Sequence, residues 1–275
     1  MKVSVIVAVY KDVEALELIF ESLKLQTYKN FEVIVAEDGE SSQIKDFVGL
    51  CRDKFSFEII HTSQKDDGVR KSKSQNNGIR AAKGSYLIFI DGDCLLYSHF
   101  IENHVLLSSE KYIVTGRRVN VGPKYSALLR ERQLSSECLE NSFYRKYFDI
   151  KKDAKLERHS EEGFSIKPHG LLHKLMKKIR NRPVPLLGCN MSMYKSAILE
   201  INGFDEDLGN SAMASDTDLE WRFRGLGYTI VSAKLIANQF HLYHERKESE
   251  YNRNDDVMIK VNQNTKRYRC ENGVS

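Results

Sequence analysis

Two carboxylates separated by a single glycine, Asp91-Gly92-Asp93, close an unbroken apolar run from Tyr86 to Ile90. Such a run reads as a strand buried on both faces, the kind found in a parallel sheet. In open α/β sheets, ligands bind beyond the carboxyl ends of the strands. Carboxylates placed there offer hard oxygen ligands to a divalent cation, and the cation can hold a diphosphate. Gly92 lets the backbone turn and lets a ligand come close. Alone, Asp-Gly-Asp is equally a surface turn; the buried strand before it and the rest of the chain favour the ligand site. Polar groups close two further runs: Tyr10 follows Val3 to Val9, and Glu37-Asp38 follows Phe31 to Ala36. Arg70, Lys71 and Lys73 stand at a helix start, where they can neutralise phosphate with help from the helix dipole or form a solvated basic turn. Asp216 stands at another helix start, as a cap or, facing a cleft, as a general base. His241 and His244 follow an apolar stretch; one of them can be a metal ligand, although such a pair is more commonly structural.

The elements that would position these groups follow from periodicity. Leu16, Ile19, Phe20 and Leu23 mark one face of a helix that Asp12 can cap. Phe57 to Ile60 is a third strand. A helix is expected from Ser72 to Lys83, with Gly84 as its C-terminal cap. Tyr112 to Thr115 and Tyr228 to Ser232 are further strands. Leu219, Phe223 and Leu226 fit a helix closed by Gly227. Strands alternating with helices predict an α/β fold, an open and mostly parallel sheet flanked by helices. From about Gly122 to Pro183 charges are dense and no strand is evident, which predicts a helical insertion. Within it, Leu171, Leu172, Leu175, Met176 and Ile179 share one helical face, and Lys174, Lys177, Lys178 and Arg180 lie mostly on the other. Such a helix can rest on an anionic membrane or pack on the domain. From Glu245 the chain is polar, and a peripheral tail is expected.

Bulk properties bound the function. The 275 residues are 41% hydrophobic and 29% charged, with a net charge of +4, which gives no reason to expect nucleic-acid binding. The five cysteines include no Cys-x-x-Cys pair, as for free thiols in a reducing compartment. No signal peptide is evident, and no apolar run approaches the roughly 20 residues that span a bilayer. The expectation is a cytoplasmic protein, with peripheral attachment to a membrane surface left open. Neither common glycine-rich phosphate loop is present, so a metal would carry much of any diphosphate binding.

Taken in order, these segments resemble a known family. They are Val5 to Tyr10, Glu37-Asp38-Gly39, Asn76-Asn77-Gly78-Ile79 with Ala82-Lys83-Gly84, Phe89 to Asp93, Gly188 to Ser192, Asn202 to Glu206 and Asp216 to Leu219. The chain resembles an inverting, family-two, nucleotide-sugar glycosyltransferase of the GT-A fold over about residues 1 to 245. Asp67 to Ser72 and Asp91 to Cys94, with His104 downstream, look like the branch of the bacterial chondroitin polymerase catalytic domains. The resemblance implies a nucleotide-sugar-binding half over 1–118, an insertion over 119–183, an acceptor-binding half over 184–245 and a tail over 246–275. It implies that Tyr10 and Asp38 contact the base, Asp38 through a ring N–H, and that Arg70 lies near the diphosphate. Asp91 would meet the ribose or a metal-bound water, and Asn190 would line the sugar pocket. Ala8, Asn76 and Gly92 complete the nucleotide-sugar side. Asp93 and His241 would hold Mn²⁺ or Mg²⁺, and Asp216 would take the acceptor's proton. Asp218, Glu220 and His244 stand behind these as acceptor-side or alternative candidates. The implied partners are a UDP-hexose or UDP-N-acetylhexosamine and a growing surface polysaccharide or lipopolysaccharide glycan, on a lipid carrier or a lipid A core, with attachment to the inner face of the cytoplasmic membrane left open. Ser215 replaces the family's usual Glu, and a tryptophan common just upstream is missing, so acceptor choice is left open. A catalytically silent nucleotide-sugar-binding protein is the main alternative, followed by a sugar-phosphate nucleotidyltransferase.

Overall fold

The computed structural model describes residues 1–154, 160–179, 183–208, 214–245 and 253–275. Its first half alternates strand and helix: β1 (Val3–Val9), α1 (Val13–Lys24), β2 (Phe31–Glu37), α2 (Ser42–Cys51), β3 (Glu58–Thr62), α3 (Lys71–Ala81) and β4 (Tyr86–Asp91). Then come β5 (Cys94–Leu96), α4 (Phe100–Leu106), β6 (Tyr112–Thr115) and β7 (Val119–Asn120). Three helices follow, α5 (Pro123–Arg130), α6 (Ser136–Asp153) and α7 (Leu171–Ile179). The last part holds β8 (Asn190–Tyr194), α8 (Lys195–Glu200), α9 (Ala214–Gly225), β9 (Thr229–Ser232), β10 (Gln239–His241) and α10 (Arg253–Asn264). The α/β class, the largely parallel sheet and the helical insertion are as the sequence predicts.

A seven-stranded sheet runs in the order β3-β2-β1-β4-β8-β6-β9. Within it β8 is antiparallel to both of its neighbours, and the other pairings are parallel. The reversal matters for the site. It sets Asn190, the first residue of β8, beside Ile90 near the end of β4. The residues before β8 therefore arrive at the carboxyl edge of the parallel strands. Alternate residues of each strand enter opposite layers of core. Val5, Val7, Val33, Val35 and Ile88 pack with Leu16, Ile19 and Phe20 of α1. Ile6, Ile34, Leu87 and Phe89 pack with Ile79, Leu219 and Phe223. Burial on both faces is why these strands read as unbroken apolar runs. A second sheet, ordered β5-β10-β7, lies beyond the end of β4 and pairs Cys94 with His241.

Two expectations are corrected. Gly84 does not cap α3, which ends at Ala81 with Ala82 extended. A Cβ at Gly84 would lie 2.6 Å from Ser4 Oγ and 2.8 Å from the Lys2 carbonyl, so close approach to β1 is what requires glycine there. The end of the chain is not a peripheral tail. Tyr268 stacks on Trp221 with ring centroids 4.9 Å apart, Cys270 is buried, and Arg80 donates to the Gly273 and Val274 carbonyls. Residues 246–252 lie outside the described set.

His104, singled out in the resemblance, sits in a closed buried chain. Tyr86 Oη donates to Ser192 Oγ at 2.7 Å, Ser192 Oγ donates to His104 Nδ1 at 2.7 Å, and His104 Nε2 donates to Asn190 Oδ1 at 3.0 Å. Asn190 Nδ2 then donates to the carbonyls of Arg117 and Ala237. Every step is satisfied with a neutral imidazole, and burial lowers His104 to about 4. The unfolded chain takes up a proton below about pH 6.5, whereas the native state refuses it until about 4. Stability is therefore expected to fall as pH drops through that window, by about 3 kcal/mol in all. Urea titrations of the parent and of His104→Gln across it check this: the variant should show the shallower pH dependence.

Candidate active site

The Asp91-Gly92-Asp93 turn links β4 to β5 on the carboxyl edge of the sheet. A Cβ on Gly92 would stand 2.8 Å from the Ala8 carbonyl and 3.2 Å from Val9 Cα, so a side chain would force the turn off the end of β1. Gly92 and Ala8 thus set where the two carboxylates stand. The second sheet brings the histidines to Asp93. Beside the pairing of Cys94 with His241, the Leu242 N–H donates to the Asp93 carbonyl at 2.9 Å. The insertion fixes the residues that follow, because the Tyr243 N–H donates to Ser126 Oγ of α5 at 2.7 Å.

Asp93 Oδ2 lies 3.2 Å from His241 Nε2 and 3.5 Å from His244 Nε2. Burial would raise the Asp93 carboxyl, but the two imidazoles outweigh it and hold it well below the usual carboxylate range. One ligand atom from each of the three residues lies within 4.8 Å of the others. One anionic oxygen and two imidazole nitrogens converging in this way fit a divalent cation. His244 joins this cluster from its exposed side, slightly farther from Asp93 than the buried His241.

Beside this cluster is a second charged set. Lys71, the first residue of α3, places Nζ 2.5 Å from Asp91 Oδ1. Burial works to lower the Lys71 ammonium, but Asp91 and Asp216 overcome it and hold it above its ordinary value. Asp216 lies in the first turn of α9, and its Oδ2 accepts the Gly188 N–H at 2.8 Å. Burial raises its carboxyl to about 6, against the pull of Lys71, the Gly188 N–H and Arg118. A carboxylate with that proton affinity suits a general base near neutrality. Gly188 has no room for a side chain: a Cβ there would fall 2.1 Å from Asp216 Oδ1. Gly188→Ala is accordingly expected to displace the carboxylate and slow turnover by between about ten- and a hundredfold. Nucleotide affinity, measured by calorimetry, should not change.

On the nucleotide side, Asp38 is nearly buried, and its oxygens accept from Gln64 Nε2 and the Arg70 N–H, both at 2.7 Å. Asp38 thereby pins the loop entering α3. Tyr10 is exposed at the end of β1, with Lys11 Nζ 4.6 Å from its ring centroid. Arg70 itself turns onto Asp67, at 2.8 Å. Of the three basic residues singled out at this helix start, Lys71 is the one that meets Asp91.

Four candidates are internal braces. The Asn190 amide is spent on His104 and two backbone carbonyls, leaving no donor for a sugar pocket. Asn76 donates to the Phe204 carbonyl and accepts the Phe204 N–H, tying α3 to the turn before α9. Asp218 is buried against Arg222 at 2.6 Å, and Arg222 also holds the Ile201 and Gly203 carbonyls. Glu220 accepts the Leu186 N–H at 2.7 Å and pairs with Arg224 at 2.9 Å. Asn76, Asn190 and Glu220 have their polar atoms engaged within the protein, and Asp218 is buried in its pair with Arg222, which is the physical reason for removing them from the site.

A mononucleotide-type parallel sheet with acidic strand ends and a reversed β8 is one thing; the sequence shared with known proteins narrows it. Residues 4–200 match the model of glycosyl transferase family 2, and the chain belongs to that family. An uncharacterized glycosyltransferase of Rickettsia felis is 33% identical over 129 residues, covering 45% of this chain and 21% of its own length. Glycosyltransferase GlyA of Streptococcus pneumoniae is 27% identical over 150 residues, covering 54% of this chain and 20% of its own. The chain thus spans about a fifth of either relative. Among solved structures, residues 1–349 of S. aureus TarS in complex with UDP-GlcNAc align with a TM-score of 0.58 at 16% identity, covering 95% of this chain and 66% of that one. The mannosyltransferase PcManGT of Pyrobaculum calidifontis, in complex with GDP-Man and Mn²⁺, aligns with a TM-score of 0.58 at 15% identity, covering 89% and 57%. At these identities the likeness concerns the fold.

Proposed function

We propose that the protein transfers a hexose or N-acetylhexosamine from a UDP-sugar to a hydroxyl of a growing surface glycan, with inversion at the anomeric carbon. The observation that carries this reading is the pairing, on one sheet edge, of a three-ligand cation cluster with a base whose carboxyl is raised to about 6. Asp93, His241 and His244 would hold the ion, Mn²⁺ being favoured over Mg²⁺ by the imidazoles. An ion held there would supply positive charge to offset that of the departing diphosphate. Tyr10 would receive the base, and Asp38, whose two oxygens already accept from Gln64 and the Arg70 N–H, would accept from a ring N–H through a remaining lone pair. Lys71, held by Asp91, supports the diphosphate from the helix start. Asp216 removes the acceptor's proton as its oxygen attacks from the face opposite the leaving group. No covalent nucleophile is required.

Donor class and acceptor are part of the proposal. TarS has been solved with UDP-GlcNAc and PcManGT with GDP-Man. The likeness of Asp67 to Ser72 and Asp91 to Cys94 to the chondroitin polymerase branch favours UDP. The acceptor is proposed to be a lipid-carried glycan met at the cytoplasmic face of the inner membrane. The test is a panel of UDP- and GDP-sugars assayed for Mn²⁺-dependent donor hydrolysis, then for transfer. One donor turned over, and silence in chelator, is the expected result. UDP binding with no turnover of any donor would instead support the silent binding protein, for which Ser215 in place of the usual Glu is the motivating residue.

A further inference from the structure

The helix α7 carries a surface that the sugar-transfer site does not use. Leu171, Leu172 and Leu175 are 87%, 53% and 50% exposed, although the apolar periodicity would allow them to pack inward. Among the described side chains of this helix only His173 is buried, and its Nδ1 accepts the His169 N–H at 3.0 Å at the start of the helix. His169 Nε2 also reaches the Leu106 carbonyl at 3.5 Å, which brings a fourth exposed leucine to the neighbourhood. Isolated exposed leucines are ordinary on a protein surface; several on one helix are not.

The charge around them is one-sided. Between Glu162 and Glu200 the sequence has no Asp or Glu, and Lys167, Lys174, Lys177, Lys178, Arg180 and Arg182 all fall in that stretch. The chain as a whole has 42 basic against 38 acidic residues, so this stretch alone exceeds the net charge of +4. Lys167 and Lys174 are exposed; Arg180 and Arg182, and the side chains of 176–179, lie outside the described residues. Among the described residues no helix is long and apolar enough to cross a membrane.

We propose that α7 docks the protein on an anionic phospholipid bilayer, leucines in the interface and lysines among the headgroups. Exposed leucines gain from leaving water, and each basic residue near an anionic leaflet adds a salt-sensitive attraction. A soluble polyanion offers the second and not the first, which is why the leucines point to a bilayer. Gly188, whose N–H donates to the Asp216 carboxylate, follows α7 closely in the sequence, so docking would hold the site near the membrane. The inference rests on the lipid-carried acceptor only for its purpose, and vesicle binding is measured apart from turnover.

The experiment is co-sedimentation with vesicles of phosphatidylglycerol and phosphatidylcholine, against phosphatidylcholine alone. The parent should sediment with the anionic vesicles and be released by salt. Leu172→Ser with Leu175→Ser should weaken that binding by at least about tenfold, because exposed leucines can be replaced without opening the core. Lys174→Glu should weaken it on anionic vesicles and make no difference on neutral ones. Circular dichroism and donor hydrolysis should be unchanged in both variants. A parent that stays in the supernatant, or leucine variants that sediment like the parent, overturns the proposal. So does capture by dextran sulfate that persists in the leucine variants alongside unchanged vesicle binding, which would make the surface a polyanion site. Vesicle binding with no donor turned over would leave the docking surface standing and remove the sugar-transfer reading alone.

Discussion

Asp93→Asn is expected to weaken Mn²⁺ binding by at least about a hundredfold and to abolish metal-dependent transfer while leaving the fold near intact. Asp93 supplies the anionic oxygen in a cluster whose other two ligands, His241 and His244, are imidazoles. An amide oxygen carries no charge to offset the cation. The substitution should cost little in stability, because the Asp93 side chain is about a quarter exposed at the end of a strand and not in the core. Its backbone carbonyl still receives the Leu242 N–H. Paramagnetic resonance of free Mn²⁺ gives the affinity, thermal melting controls for folding, and release of UDP reports turnover. Full activity in a folded Asp93→Asn protein, or activity in the parent that a chelator leaves untouched, would sink the metal role. His244→Ala should fall in the same direction as His241→Ala, since both rings face the same oxygen.

What the sequence made legible is what is local. The apolar run into Asp91 and Asp93, the strand ends at Tyr10 and Asp38, and the helix start at Asp216 are read from neighbours a few residues away. What it hid are the partners set by the fold. Asn76 and Asn190 look like ligands because a lone amide at a motif position has no visible partner. Their partners, Phe204 and His104, lie 128 and 86 residues away. Asp218 carries the same acidic side chain as Asp216 in the same helix, and only burial against Arg222 separates their roles. Lys71 differs from Arg70 by one position, yet the helix turn sends one to Asp91 and the other to Asp67. The backbone leading into His244 is fixed at Tyr243, whose N–H donates to Ser126 from 117 residues away. The C-terminal residues read as polar because Tyr268 and Cys270 are few, but they are placed where α9 needs cover.

Asp216→Asn is expected to lower transfer by about 10²- to 10⁴-fold while UDP and metal binding persist. Asparagine keeps the size of the side chain, and its amide oxygen can still accept the Gly188 N–H. It cannot accept a proton at neutral pH. The pH dependence makes the argument specific. The carboxyl, raised to about 6, must be ionised to act, so the parent's rate should fall as pH is lowered through about 6. Asp216→Asn should lose that limb along with the rate. Glu220→Gln is the control on the same helical face, four residues on, where the side chain is engaged by Leu186 and Arg224. It should leave turnover within a few-fold. Asp218→Asn tests the other kind of role: it breaks a buried pair with Arg222, so it should lower the melting temperature far more than it alters the pH profile. If Glu220→Gln removes the acid limb and Asp216→Asn keeps it, the base has been misassigned. If Asp216→Asn loses UDP binding as well, the carboxylate belongs to the donor side through Lys71 and Asp91, and another group must take the acceptor's proton.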